Sequence, residues 1–260
     1  MAERFSGILE EMTIDQVRGL KPDVAVIPIG STEPHGPALP YGTDSYRAQA
    51  IAYGATRAAN GQGAGVVCLP TVRVSLNNNF RAFPFACRMR VSTFMALLKD
   101  LVNMCEADGI EKVVFVNAHG GNPDVIRAAM RDLAAEDGAF VCMLQASSCA
   151  SREARQVCEK PSDHAGEDET SQMLHLRPDL VHEAKIGDNP RMQPALEVLT
   201  EFQVDFVRPW HLYMPASAGG DATRASREKG RIVIDSSIEG MGRFLAELSR
   251  ADRNREFPYA

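Results

Sequence analysis

The sequence has no Cys-x-x-Cys pair, no block of lysines and arginines, no low-complexity tract, and no apolar run near the roughly 18 residues that a membrane-spanning helix needs. Each absence removes a class. Cys68, Cys87, Cys105, Cys142, Cys149 and Cys158 are too scattered for a zinc ribbon or a dithiol redox motif. An even count permits disulfides, but a chain without a secretion signal is expected to keep reduced thiols, with Cys68 and Cys142 filling apolar strands. The formal net charge is −6 with no basic cluster, which argues against nucleic acid or an anionic membrane as partner. Residues Met1 to Ser6 do not read as a signal peptide, so cytoplasm is the expected compartment. No internal repeat and no domain linker is visible, and residues 1–260 are expected to form one domain.

What is present is an alternation of periods. An apolar run from Asp23 to Ile29 reads as a buried parallel strand ending at Gly30-Ser31. Residues 44–59 are helical in composition, with Asp44 or Ser45 near the N-cap. A second strand spans Gly65 to Leu69. Ser92 to Asp108 has Phe94, Leu97, Leu98, Leu101, Val102 and Cys105 at three- and four-residue spacing, with Ser92 as cap and Gly109 as stop. Lys112 to Asn117 is a third strand. A helix opens at Asn122-Pro123 and runs to about Glu136, and Ala139 to Leu144 is a fourth strand. This pitch predicts an α/β fold, a mostly parallel sheet with helices on both faces. Gly187 to Ser226 is less periodic and predicts loops and short elements near the active site.

Chemistry concentrates where strands end. Gly30 to Arg47 places Glu33, His35 and Asp44 within twelve positions of one another. Imidazole with carboxylate suits Zn, Mn or Fe. Asn117-Ala-His119-Gly-Gly-Asn122 follows the third strand. Parallel sheets bind ligands beyond their carboxyl ends, so two strands deliver metal-type donors to one edge. In His164-Ala-Gly-Glu167-Asp168-Glu169-Thr-Ser171 the acidic residues open a helix, where carboxylates are also common for dipole reasons. His164 precedes that helix and could serve as general acid/base. The residues alone do not choose between Glu167 and Glu169. His175 and His182 carry less signal, and His211, after the single Trp210, could line a pocket.

Taken in order over about 200 residues, these segments resemble the creatininase (creatinine amidohydrolase) family. The matching stretches are Pro28 to Gly36, Leu39-Pro40, Thr43-Asp44, Asn117 to Asn122 and His164 to Ser171, with a weaker match at Gly219 to Gly230. The resemblance implies a three-layer α/β/α fold, a homo-oligomer (often a hexamer) and two divalent metal ions (Zn, Mn or Fe). Glu33 and His119 would bind one ion and His35 and Glu169 the other. Asp44 would bridge them, and His164 would shuttle a proton. The sequence also departs from the family. Creatininase proper has a Glu ligand where Gly121 stands, and a Trp near the position of Cys158 to Pro161. Many relatives carry a His at Ala38 and another in the segment Asn77 to Arg88. The metal site is therefore expected to be kept and the pocket changed, with creatinine not the substrate. The expected activity is hydrolysis of an amide or cyclic amide C–N bond in a small polar molecule. Asn78, Arg81 and Trp210 are candidate substrate contacts. Two rivals stay open: hydrolytic C–C ring cleavage of a keto-inositol, and a non-catalytic scaffold of the same fold.

Overall fold

In the computed structural model, which describes residues 6–135, 138–159, 164–254 and 256–259, the run after Asp23 is strand β1 (Val24–Ile29), buried at every position. A strand covered on both faces has no polar side, which is why its sequence does not alternate. β1 lies between β2 (Val66–Cys68) and β3 (Lys112–Asn117), with β4 (Phe140–Gln145) beyond β3. All pairings are parallel, in the order β2-β1-β3-β4. Pro28 costs the sheet little, because β2 stops at Cys68 and the Pro28 carbonyl is met instead by the Val72 N–H at 2.9 Å.

Side chains alternate across the sheet and make two cores. Val24, Val26, Val66, Cys68, Val114 and Val116 face helix α2 (Thr43–Gly61). Ala25, Ile27, Ile29, Val67, Val113 and Phe115 face α3 (Val91–Ala107) and α4 (Pro123–Ala134). A short α1 (Ile14–Gly19) precedes the sheet, held by a Thr13–Gln16 capping box. After β4 come α5 (Arg152–Arg155) and α6 (Glu167–Leu176). The 188–221 region holds strands β5 (Asp188–Asn189) and β6 (Gly220–Asp221), paired antiparallel, with α7 (Val198–Glu201) and α8 (Trp210–Tyr213) between them. This is the mixture of loops and short elements expected there.

The longest helix, α9 (Arg227–Arg250), is not among the elements expected from the sequence. Ser226 caps it by accepting from Lys229 N, and Ile234, Met241 and Leu245 lie against the α2 face of the sheet. With α2, α6 and α9 on one face and α3 and α4 on the other, the fold is the expected three-layer α/β/α. Among the described residues no helix is long and apolar enough to cross a membrane.

Some boundaries differ from expectation. The start of α2 is capped by Gly42, and Asp44 lies within its first turn, because Thr43 is tied to the Pro40 carbonyl through both its N–H and its hydroxyl. Ser92 is not a cap: α3 begins at Val91, and Arg90 O already accepts from Phe94 N. Gly109, at φ +82°, does stop α3. The expected end of the fourth-segment helix at Glu136 lies outside the described residues, as do Lys160 and Pro161. All six cysteines are free, and burial pushes the Cys142 thiol up to about 12.

The strand order sets the site. The connection from β1 to β2 leaves in one direction, and that from β3 to β4 in the other. The carboxyl ends of β1 and β3 therefore form a topological switch point, where open α/β sheets leave a crevice.

Candidate metal centre

Both motif loops start at that crevice. After β1, Gly30 lies so close to Ser45 that any side chain at 30 would strike the α2 backbone. Ser45 Oγ donates to Ser31 O at 2.9 Å, and Glu33 N donates to Tyr41 O at 3.0 Å. The loop is thus folded back on the first turn of α2, which places Asp44 beside Glu33 and His35. A carboxylate there is also favoured by the helix dipole.

After β3, the two asparagines of the motif lock the loop. Asn117 Nδ2 donates to His119 O at 2.7 Å and to Gln145 Oε1 at 3.0 Å, and Asn117 Oδ1 accepts from Asn122 Nδ2 at 3.0 Å. Glu169 enters from the first turn of α6, and Ala165 N donates to its Oε2 at 2.7 Å. His164 forms an isolated bridge with Gly219, just before β6, and the Gly219 N–H donates to His164 O at 2.8 Å.

The six predicted residues converge. His119 Nδ1 lies 3.1 Å from Glu33 Oε2 and 3.2 Å from Asp44 Oδ2. His35 Nε2 lies 3.3 Å from Asp44 Oδ1 and 3.7 Å from Glu169 Oε2. Asp44 therefore turns one oxygen to each histidine. His164 Nδ1 stands 3.8 Å from Glu33 Oε1, and its ring lies 4.2 Å from that of His35. Glu33, His35, Asp44, His119 and His164 are all buried, and Glu169 is half-buried.

The backbone fixes the tautomers. Carbonyls only accept, so each imidazole nitrogen that meets one must carry the hydrogen. His119 Nε2–H donates to Leu76 O at 2.8 Å, His35 Nδ1–H to Glu33 O at 3.0 Å, and His164 Nε2–H to Pro34 O at 2.8 Å. The remaining nitrogens, His119 Nδ1 and His35 Nε2, present lone pairs to carboxylate oxygens. His35 Nε2 and Asp44 Oδ2 are buried without a hydrogen-bond partner among the described residues. Two acceptors facing each other at about 3 Å need a positive charge between them, either a proton or a cation.

The titration behaviour agrees. Burial alone would lower the His35 pKa, but Asp44, Glu169 and Glu33 outweigh it and raise it to about 9. His119 is likewise raised well above its ordinary value by Glu33 and Asp44, against burial. The two imidazoles hold the Asp44 carboxyl far below its ordinary range, although burial acts the other way. His164 is lowered, first by burial and then by His35. Two donor groups could each hold a metal, Glu33–Asp44–His119 and His35–Asp44–Glu169, and a third, Glu33–His35–His164, overlaps them.

The structure also separates Glu167 from Glu169. Glu167 is buried away from these donors against Lys229 Nζ at 2.6 Å. Of the proposed substrate contacts, Trp210 sits edge-on to His164, with ring centroids 5.4 Å apart. Asn78 and Arg81 are exposed on the turn that carries Phe80, whose buried ring lies 5.5 Å from His164 and 4.9 Å from Trp210. Among the described residues, His175, His182 and His211 belong to none of the donor groups. Sequence reasoning missed Arg47, buried against Glu169, although its i+3 spacing from Asp44 on a helix was a usable signal.

Gly121 explains itself by space. A Cβ there would lie 2.5 Å from His119 Nε2 and 2.8 Å from the Leu76 carbonyl oxygen. A side chain at 121 would collide with the hydrogen bond that orients His119.

The fold and cluster define an open α/β protein with a buried histidine–carboxylate donor set at its switch point. The chain belongs to the creatininase family: the family model described as creatinine amidohydrolase matches residues 10–245. It is 28% identical over 241 residues, 90% of this chain and 88% of the relative, to a mycofactocin precursor peptide peptidase of Mycobacterium ulcerans. It is 24% identical over 242 residues, 86% of this chain and 89% of the relative, to the creatinine amidohydrolase of Pseudomonas putida. Among solved structures, a Bacteroides fragilis protein provisionally described as a creatinine amidohydrolase superposes with a TM-score of 0.84 at 29% identity, covering 98% of this chain and all of that one. A manganese form of creatininase superposes at 0.74 and 22% identity, covering 95% of this chain and 100% of that one, and supports the fold.

Proposed function

We propose that this chain is a metal-dependent amidohydrolase that cleaves a C–N amide bond. The observation that carries the reading is the buried cluster around Asp44, where each carboxylate oxygen faces an imidazole nitrogen across a gap that a proton or a cation must fill, an arrangement that suits two divalent cations sharing one carboxylate. Glu33, Asp44 and His119 would hold one cation, and His35, Asp44 and Glu169 the other; Zn, Mn and Fe all suit such donors. Bound there, two cations would acidify a water and polarise a substrate carbonyl.

The protein's own residues do the rest. His119 and His35 keep their donor nitrogens aimed inward through the Leu76 and Glu33 carbonyls. His164 is anchored through Nε2–H, so Nδ1 is the nitrogen free to take a proton and return it to the leaving amine. Its lowered pKa keeps it neutral, and therefore able to accept, at pH 7. Phe80 and Trp210 pack on its ring and exclude water. Trp210 Nε1–H is buried without a partner among the described residues, so it is available to a substrate oxygen. Asn78 and Arg81 are retained as outer contacts.

The relatives named above are a peptidase and an amidohydrolase, and both names denote amide hydrolysis. That favours C–N cleavage over the keto-inositol reading, and the intact donor set disfavours a scaffold. Creatinine itself is not the proposed substrate, because the chain has glycine at 121. A homo-oligomer is part of the proposal. Leu196, Phe202, Val207 and Leu212 are 63%, 69%, 80% and 62% exposed, more apolar surface than one segment of a monomer ordinarily shows. Elemental analysis tests the central reading. About two metal ions per chain are expected, with fewer in Glu33→Ala and His119→Ala. Native protein that holds no metal and takes up none on addition of Zn or Mn would overturn it.

A further inference from the structure

Phe85, in the loop between Phe80 and α3, is 91% exposed, and its φ of +53° lies in the left-handed region that a bulky side chain occupies only under constraint. The loop is clamped on both sides of it. The Tyr41 hydroxyl donates to Pro84 O at 2.9 Å, Cys87 N donates to Thr32 O at 2.9 Å, and Asn77 Nδ2 donates to Cys87 O at 2.8 Å. An aromatic ring is thus held out into water from a fixed base next to Glu33, at a cost in backbone strain and in exposed apolar area. Its own chain covers little of the ring, so whatever offsets that cost lies outside the chain.

The 191–213 segment offers a matching receptor, a groove of about 700 Å³ lined by Met192, Leu196, Leu199, Phe206, Leu212 and Tyr213. The Arg208 guanidinium lies 4.9 Å from the centre of the Tyr213 ring, a flat cationic face that suits an aromatic guest. Charge is complementary as well. Arg88 and Arg90 follow Phe85, while Asp205 lines the groove and Glu197 and Glu201 lie beside it; all five are exposed and have no ion pair among the described residues. The loop and the groove also adjoin, since Phe80, at the start of the loop, lies 4.9 Å from Trp210 of α8. A two-fold axis can therefore seat both rings at once, each copy giving one Phe85 and receiving another. The groove is walled by α8, whose Trp210 faces His164. A ring seated there stands over the approach to the candidate site.

We propose that Phe85 of one copy inserts into the 191–213 groove of a second copy and closes the approach to that copy's His164, so that each site is completed by its neighbour. The inference rests on the homo-oligomer reading above and names the contact. On the full-length protein, Phe85→Ser is expected to raise the dissociation constant in sedimentation at least about 100-fold, since two aromatic anchors are lost per interface. Thermal stability at low concentration should not fall, because the replaced ring is exposed and strained. Trp210 is the single tryptophan and reports on closure directly: acrylamide should quench it at least about twofold more readily in Phe85→Ser than in the associated native protein. Arg88→Glu/Arg90→Glu and Glu197→Lys/Glu201→Lys should each associate poorly alone and recover when mixed, because only the mixed pair restores opposite charges at both contacts. Photo-cross-linking from Phe85→p-benzoylphenylalanine, in a mixture of isotope-labelled and unlabelled copies, should join position 85 of one copy to residues 191–213 of another. An oligomer whose cross-links fall elsewhere or within one chain would overturn the proposal and leave the oligomer standing. So would association or Trp210 quenching unchanged in Phe85→Ser, which would leave the ring to a substrate instead. Native protein that sediments as a monomer would reject both the contact and the oligomer.

Discussion

The adjacent glycines of the His119 loop provide a paired perturbation with opposite expected results. A Cβ built at Gly121 lies 2.5 Å from His119 Nε2, 3.2 Å from its Cδ2 and 2.8 Å from Leu76 O, while a Cβ at Gly120 meets nothing within 4 Å. Neither glycine has a positive φ, so backbone strain does not separate them. Gly121→Ala must displace either the imidazole or the Leu76 carbonyl, both held in a buried network with Asn122. It breaks the Nε2–H···O bond, worth about 1 kcal/mol in stability. It also releases the orientation of Nδ1 toward Glu33 and Asp44. Loss of such an outer hydrogen bond lowers metal affinity roughly 10- to 100-fold, about 1.4–2.7 kcal/mol. Gly120→Ala is expected to bind metal as the native chain does and to gain up to about 1 kcal/mol of stability from a less flexible unfolded state. Calorimetric Zn²⁺ titration and thermal unfolding of both variants measure this. Gly121→Ala with native affinity, or Gly120→Ala as damaged as Gly121→Ala, would refute the argument that space at 121 is reserved for the His119 hydrogen bond.

Other outcomes follow from the same geometry. His164→Ala is expected to lower kcat on an amide substrate by about 10²–10⁴-fold with metal content unchanged, and a loss of metal would mean that His164 is a ligand instead. In metal-free protein the raised pKa of His35, about 9 against 6.5 when unfolded, contributes stability that is complete below about pH 6.5 and lost as pH rises through about 9; His119 acts in the same direction. Cation binding must expel those protons, so an indicator dye should record proton release on Zn²⁺ addition at pH 7 and little above pH 10. Lys229→Met leaves the fully buried Glu167 without its 2.6 Å partner and should cost about 3–5 kcal/mol in chemical unfolding; a change under about 1 kcal/mol would show that the pair contributes little. Sedimentation should show an oligomer, and replacing Phe202 and Leu212 with serine should shift it toward monomer if the 187–213 surface is the contact.

Much of the fold was legible because its strands are buried on both faces and its helices carry single stripes. Val24 to Ile29 and Lys112 to Asn117 announce themselves as apolar runs, and Phe94, Leu98, Val102 and Cys105 as a helical row. Boundaries were less legible. Gly42 rather than Asp44 caps α2, and Ser92 lies inside α3, because the turn before each helix fixes where its backbone begins to coil. α9 was missed although its apolar positions recur, since the glycines and serines through it weaken the pattern.

The sequence by itself determined the donor types, their strand-end positions and the family, because metal chemistry and sheet topology both act through a few residues at fixed spacing. It could not choose Glu169 over Glu167, since both lie in one helical turn. Only the packing of α9, which brings Lys229 onto Glu167, and of α6, which brings Glu169 Oε2 to 3.7 Å from His35 Nε2, separates the two carboxylates in space and makes Glu169 the one proposed as a ligand. Tertiary structure likewise decided the tautomers, which depend on carbonyls of Leu76, Glu33 and Pro34 far from or beside each ring. It also placed Trp210 against His164, a contact between residues 46 positions apart that no local pattern encodes.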